Sequence, residues 1–101
     1  MLRLLEERGV QTDWVHIDDD APTGVMFKNP GSGVLYYRRD SAASRMSPDV
    51  LRGVPFHSAD VVHLSGITPA LSHSCADLID TLVEDIGQSP ARLSFDVNYR
   101  E

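Results

Sequence analysis

Apolar residues change rhythm along the chain, and each change predicts a different element. At the amino terminus Leu2, Leu4 and Leu5 stand among Arg and Glu and are followed by Gly9, which predicts the last turns of a helix closed by glycine. Two amphipathic turns are too short to be stable alone, so partner elements are expected outside them. The next apolar stretch, Trp14-Val15-His16-Ile17, predicts a short strand ending in Asp18-Asp19-Asp20. Three adjacent carboxylates repel one another, so that run reads as a solvated turn. Residues 23–28 and 34–39 are β-rich and flank Asn29-Pro30-Gly31-Ser32-Gly33. Proline and two glycines between such runs predict a hairpin. After the small Ser41-Ala42-Ala43-Ser44 segment, Ser47-Pro48-Asp49 offers an N-cap with proline in the first turn of a short helix ending near Gly53.

The second half is organised differently. Val61-Val62-His63-Leu64 is a continuous apolar run between Asp60 and Gly66, as expected of a strand buried on both faces. Over residues 72–86, Cys75, Leu78, Ile79, Leu82, Val83 and Ile86 recur at helical spacing, and Gly87 supplies the stop. Residues 93–97 predict another strand. The whole reads as one strand–helix–strand crossover, right-handed with parallel strands.

Composition narrows the classes. The 101 residues allow one domain at most, and the 42% hydrophobic content suits a globular protein. The formal charge of −6 is dispersed, which argues against a nucleic-acid partner. It also makes any anion site local, built from Arg38, Arg39, Arg45 or Arg100. The single Cys75 sits at an apolar helical position and reads as a small core residue in a reducing compartment. No apolar run reaches a membrane span and no signal core opens the chain, so a cytoplasmic protein without a membrane partner is expected. His16, His57, His63 and His73 have no spacing that suggests a metal set.

Ligands of an open parallel sheet bind beyond the carboxyl ends of its strands. Two clusters fall there: Ser65-Gly66-Ile67-Thr68-Pro69, where Gly66 would let backbone approach a ligand, and Asp96-Val97-Asn98-Tyr99-Arg100. Alternation puts Asp96, Asn98 and Arg100 on one side. Composition favours turn chemistry at a strand end for Asp96 and Asn98, whereas the planar fork of Arg100 suits a carboxylate or phosphate. On the hairpin, Tyr36 and Arg38 share one face while Tyr37 and Arg39 share the other. The pattern fits cross-strand packing as well as it fits a binding lid.

Four strings then occur in order: Ala21-Pro22-Thr23-Gly24, residues 34–44 beginning Val34-Leu35-Tyr36-Tyr37-Arg38-Arg39, residues 63–72 beginning His63-Leu64-Ser65-Gly66-Ile67-Thr68, and Phe95-Asp96-Val97-Asn98-Tyr99-Arg100. Together they resemble the middle of the ribokinase-like (PfkB) carbohydrate kinases, and within them the 2-keto-3-deoxygluconate kinases. The resemblance covers nearly the whole chain. It implies an α/β fold, part of a doubly wound sheet with a β-hairpin lid, in a single incomplete domain with the lid at about 14–40 and the strand–helix–strand unit at 60–100. It also implies an ATP-dependent kinase for a sugar acid, with ATP and Mg²⁺ as cofactors of a homo-oligomeric parent. Tyr36 and Arg38 would then contact the sugar acid from the lid, Ile67 would offer backbone contacts, and Arg100 would lie where sugar and phosphate meet.

The family's Gly-Gly loop, its Asp-Thr-x-Gly-Ala-Gly-Asp-like segment and its Asn-x-x-Glu element have no counterpart in this sequence. The expectation is an internal piece that is inactive alone, with no catalytic residue of its own, no metal site, and no tight hold on ATP or Mg²⁺. Two alternatives stay open at this point. A neutral-sugar, fructokinase-like kinase would share the last string but leave Arg38 without a carboxylate. A non-catalytic interaction module would use exposed hairpin edges for pairing.

Overall fold

Two separate strand pairs and one long helix carry the fold in the computed structural model, which describes residues 1–99. A short helix α1 (Leu2–Glu7) comes first and ends at Arg8, with Gly9 following in the left-handed region at φ +78°. Strands β1 (Val25–Asn29) and β2 (Gly33–Tyr37) form an antiparallel hairpin in the register Val25 to Tyr37, Met26 to Tyr36 and Phe27 to Leu35. Gly31 and Gly33, both at φ +89°, supply the left-handed turn that the Asn-Pro-Gly-Ser-Gly sequence calls for.

Three 3-10 turns follow, at Ala42–Arg45, Pro48–Leu51 and Phe56–Ser58. The single short helix expected after Ser47 is thus a 3-10 turn, with Pro48 at its start. The Ser47 side chain makes no cap bond there. The next strand is β3 (Val61–Ser65), then helix α2 (His73–Ile86) and β4 (Arg92–Asp96), with β3 and β4 paired in parallel. The predicted crossover is therefore present, its ends within a residue of expectation.

Helix α2 organises the core. Ser72 caps it by accepting a hydrogen bond from the Cys75 N–H at 3.1 Å, and Leu78, Ile79, Leu82 and Ile86 form its buried stripe. Ile79, Leu82 and Ile86 pack with Leu64 of β3, and Leu51, Phe56 and Val62 close the periphery. Cys75 is fully buried, and its Sγ donates to the Ala43 carbonyl at 3.3 Å, tying α2 to the first 3-10 turn.

Two expectations fail. Residues 14–17 form no strand; they run irregularly, with Trp14, Val15 and Ile17 exposed. Their alternation suits a strand, but the described strands pair only with each other, β1 with β2 and β3 with β4. Strand β3 is not buried on both faces either, since only Leu64 is buried. One helix covers one face of a two-stranded sheet, and the other face carries polar residues, including a 3.0 Å contact between His63 Nδ1 and Ser94 Oγ.

Candidate functional site

The hairpin and the β3–β4 unit each carry candidate residues at their ends. On the hairpin, alternation puts Met26, Lys28, Val34, Tyr36 and Arg38 on one face and Val25, Phe27, Leu35 and Tyr37 on the other. Phe27 and Tyr37 meet edge to face, 5.8 Å between ring centroids. On the first face the Arg38 guanidinium lies over the Tyr36 ring at 4.9 Å, within cation–π range. Arg38 is half-buried and, among the described residues, has no carboxylate partner. Arg39 stands exposed in the turn beyond β2.

The base of the hairpin is held by backbone. Ser41 N–H donates to the Arg38 carbonyl at 3.3 Å, Asp40 takes the left-handed conformation at φ +56°, and Ala42 N–H donates to the Pro22 carbonyl at 2.9 Å. Ser41 itself is buried, its Oγ accepting from Ser44 N–H at 3.4 Å.

At the carboxyl ends of β3 and β4 the two clusters do meet. Asn98 Nδ2 donates to Ser65 Oγ at 3.0 Å, and Gly66 N–H donates to the Asp96 carbonyl at 2.8 Å. The glycine at position 66 is required by the chain itself, because a Cβ there would lie 2.6 Å from the Val97 carbonyl oxygen. The expected alternation of Asp96 and Asn98 is broken: Asp96 Oδ1 accepts from Asn98 N–H at 2.9 Å, and Asn98 turns left-handed at φ +51°. Turn chemistry accounts for this pair. Ile67 follows on the exposed loop. Arg100 lies outside the described residues.

The structure thus brings Tyr36 and Arg38 together and carries Ile67 on a different element. An open groove of about 860 Å³, which the sequence reading missed, lies between residues 14–20 and the first 3-10 turn, lined in part by Trp14, Ile17, Gly24, Ala43 and Arg45. Asp18, read as part of a solvated run, accepts from Asp20 N–H at 3.0 Å and pairs with Arg45 at 3.3 Å. No local signal marked this groove, because residues 14–20 and the first 3-10 turn meet only in the fold. Among the described residues no group of three His, Cys, Asp or Glu could hold a metal ion, and no helix is long and apolar enough to cross a membrane.

A glycine-turned hairpin beside a parallel strand–helix–strand unit matches a ribokinase-like α/β protein. The structure aligns with a PfkB protein from Polaromonas at a TM-score of 0.85 and 27% identity, over 98% of this chain and 35% of that one. The chain thus has the ribokinase-like α/β fold and is similar to that PfkB protein over nearly all of its own length. Its curated relatives narrow the class: it is 39% identical to a 2-dehydro-3-deoxygluconokinase of Thermoproteus tenax over 99% of this chain and 31% of that protein. It is 33% identical to a 2-dehydro-3-deoxygalactonokinase of Haloferax volcanii, and 32% identical to a 2-dehydro-3-deoxygluconokinase of Bacillus subtilis. These cover 95% and 99% of this chain, and 31% and 32% of the relatives. No family model matches the chain. The chain spans about a third of the length of the curated relatives it matches.

Proposed function

We propose that this chain supplies the sugar-acid-holding section of a kinase that phosphorylates 2-keto-3-deoxygluconate, the 2-dehydro acid of its relatives' names. The observation that carries the reading is Arg38, half-buried over the Tyr36 ring and without a described carboxylate partner. A guanidinium lying over an aromatic ring can still offer its N–H fork to a carboxylate, and a charge-assisted pair of that kind is both strong and directional. A neutral sugar would leave the same fork unsatisfied. Tyr36 and Arg38 bind the acid end, the Ile67 loop backbone borders it, and Arg100 contacts the sugar where phosphate is delivered.

The epimeric acid is a second reading, favoured by the galactonokinase name of the Haloferax volcanii relative. Both acids present the same carboxylate to Arg38, so the two differ only in hydroxyl contacts.

ATP supplies the phosphoryl group and Mg²⁺ the countercharge in such a reaction. Among the described residues no group of three His, Cys, Asp or Glu gathers, and the sequence has no phosphate-cradling glycine loop. In this reading ATP and Mg²⁺ are both held by other parts of a longer kinase, where turnover takes place. The role of this chain's residues is to bind and orient.

Arg38→Ala in the longer kinase tests the reading. Losing a hydrogen bond to a charged group costs ~1.5–3 kcal/mol, which lowers kcat/KM for the acid roughly ten- to hundredfold. Arg39→Ala, in the exposed turn, leaves it within twofold or so of the parent. Equal losses in both variants, or turnover by the purified 101-residue chain above a mock preparation, would contradict the proposal.

A further inference from the structure

Gly24 stands directly before β1, and extending the hairpin register by one step sets it opposite Arg38 on the face that carries Tyr36. A Cβ built at Gly24 would lie 3.2 Å from Arg38 Cβ and 3.5 Å from Arg38 Cα. That is tight enough to oblige Arg38 to give way by a few tenths of an ångström. Gly24 is exposed and does not take the left-handed conformation, so neither burial nor backbone strain explains a glycine there. What remains is the space itself, immediately beside the arginine.

Moving the Arg38 backbone to accommodate an added methyl group would disturb the contacts that hold the hairpin base. The Arg38 carbonyl accepts from Ser41 N–H, the following Asp40 is held left-handed, and the Pro22–Ala42 bond closes the hairpin base behind it. A Cβ is carried by its own backbone, so the contact is relieved only by parting the two strands at this pair, which shifts Arg38 as a whole and with it the place of its guanidinium beside the Tyr36 ring.

We infer that Gly24 is a positioning residue for substrate recognition: the absent side chain lets Arg38 lie back across Tyr36 with its N–H fork turned to the sugar-acid carboxylate. The inference rests on the reading of Arg38 proposed above. It predicts a defect in substrate affinity that operates only through Arg38.

The test is a double-mutant cycle of Gly24→Ala and Arg38→Ala in the longer kinase, read as KM for the sugar acid, KM for ATP and kcat. Gly24→Ala is expected to raise KM for the acid roughly three- to tenfold, below the hundredfold that a misplacement of about 1 Å can bring. The KM for ATP stays unchanged and kcat falls little. In the Arg38→Ala background the Gly24→Ala change adds nothing further. An unchanged acid KM in Gly24→Ala, or an equal effect in both backgrounds, overturns the inference while leaving Arg38 in its role. An Arg38→Ala variant with a normal KM instead removes the underlying reading. The Arg38 side-chain resonances give a second readout, since the Tyr36 ring current shifts them upfield in the parent and less in Gly24→Ala; equal shifts would overturn the inference. So would an alanine variant that fails to fold, because it would make Gly24 a folding residue.

Discussion

A Cβ at position 66 would meet the Val97 carbonyl oxygen at 2.6 Å, and that oxygen belongs to backbone that cannot swing aside. Gly66→Ala is therefore expected to force β3 and β4 apart at their carboxyl ends. Overpacking of this sort costs ~1–3 kcal/mol, visible as a lower thermal midpoint of the longer kinase; an unchanged midpoint would show that the loop relaxes freely. The sequence marks Gly66 as special but cannot say whether backbone or ligand comes close, since either removes the side chain. Asp96 and Asn98 carry the same ambiguity, because an acid and an amide two residues apart serve a turn as readily as a ligand. Tyr36 and Arg38 were legible as neighbours because strand alternation alone puts them on one face. The part played by Gly24 was not, because it depends on the hairpin register bringing it opposite Arg38 across thirteen intervening residues of sequence.

Elements whose pattern is local were the readable ones. Helix α2 declares itself through a 3.6-residue apolar stripe, a serine before it and a glycine after it. The hairpin declares itself through its glycine turn. Ser72→Ala removes the acceptor for Cys75 N–H and should destabilise the helix by ~1 kcal/mol. A small drop in thermal midpoint with unchanged KM for the acid would fit that role, whereas a raised KM would put Ser72 closer to substrate than the cap implies. Residues 14–17 and the burial of β3 were misread for a common reason: both depend on what lies beside a strand, which alternation does not encode. Trp14-Val15-His16-Ile17 has a strand's composition without a neighbour to pair with among the described strands. Strand β3 has an apolar sequence but only one covered face.

At the scale of the whole molecule, the radius of gyration of 15.1 Å exceeds the ~13 Å of a compact domain this long. Many large apolar side chains stand exposed, including Phe27, Leu35, Phe95 and Val97. The chain spans about a third of the length of its curated relatives. The net charge of −6 gives a sugar acid no long-range attraction to this chain, so the proposed selectivity rests on a local cation such as Arg38. The most direct measurement is therefore the ATP-dependent phosphorylation of 2-keto-3-deoxygluconate and of fructose by the longer kinase, compared as kcat/KM. A paired carboxylate worth ~1.5–3 kcal/mol predicts a preference for the acid of roughly tenfold to more than a hundredfold. Equal efficiency on the two substrates, or a preference for fructose, would contradict the account.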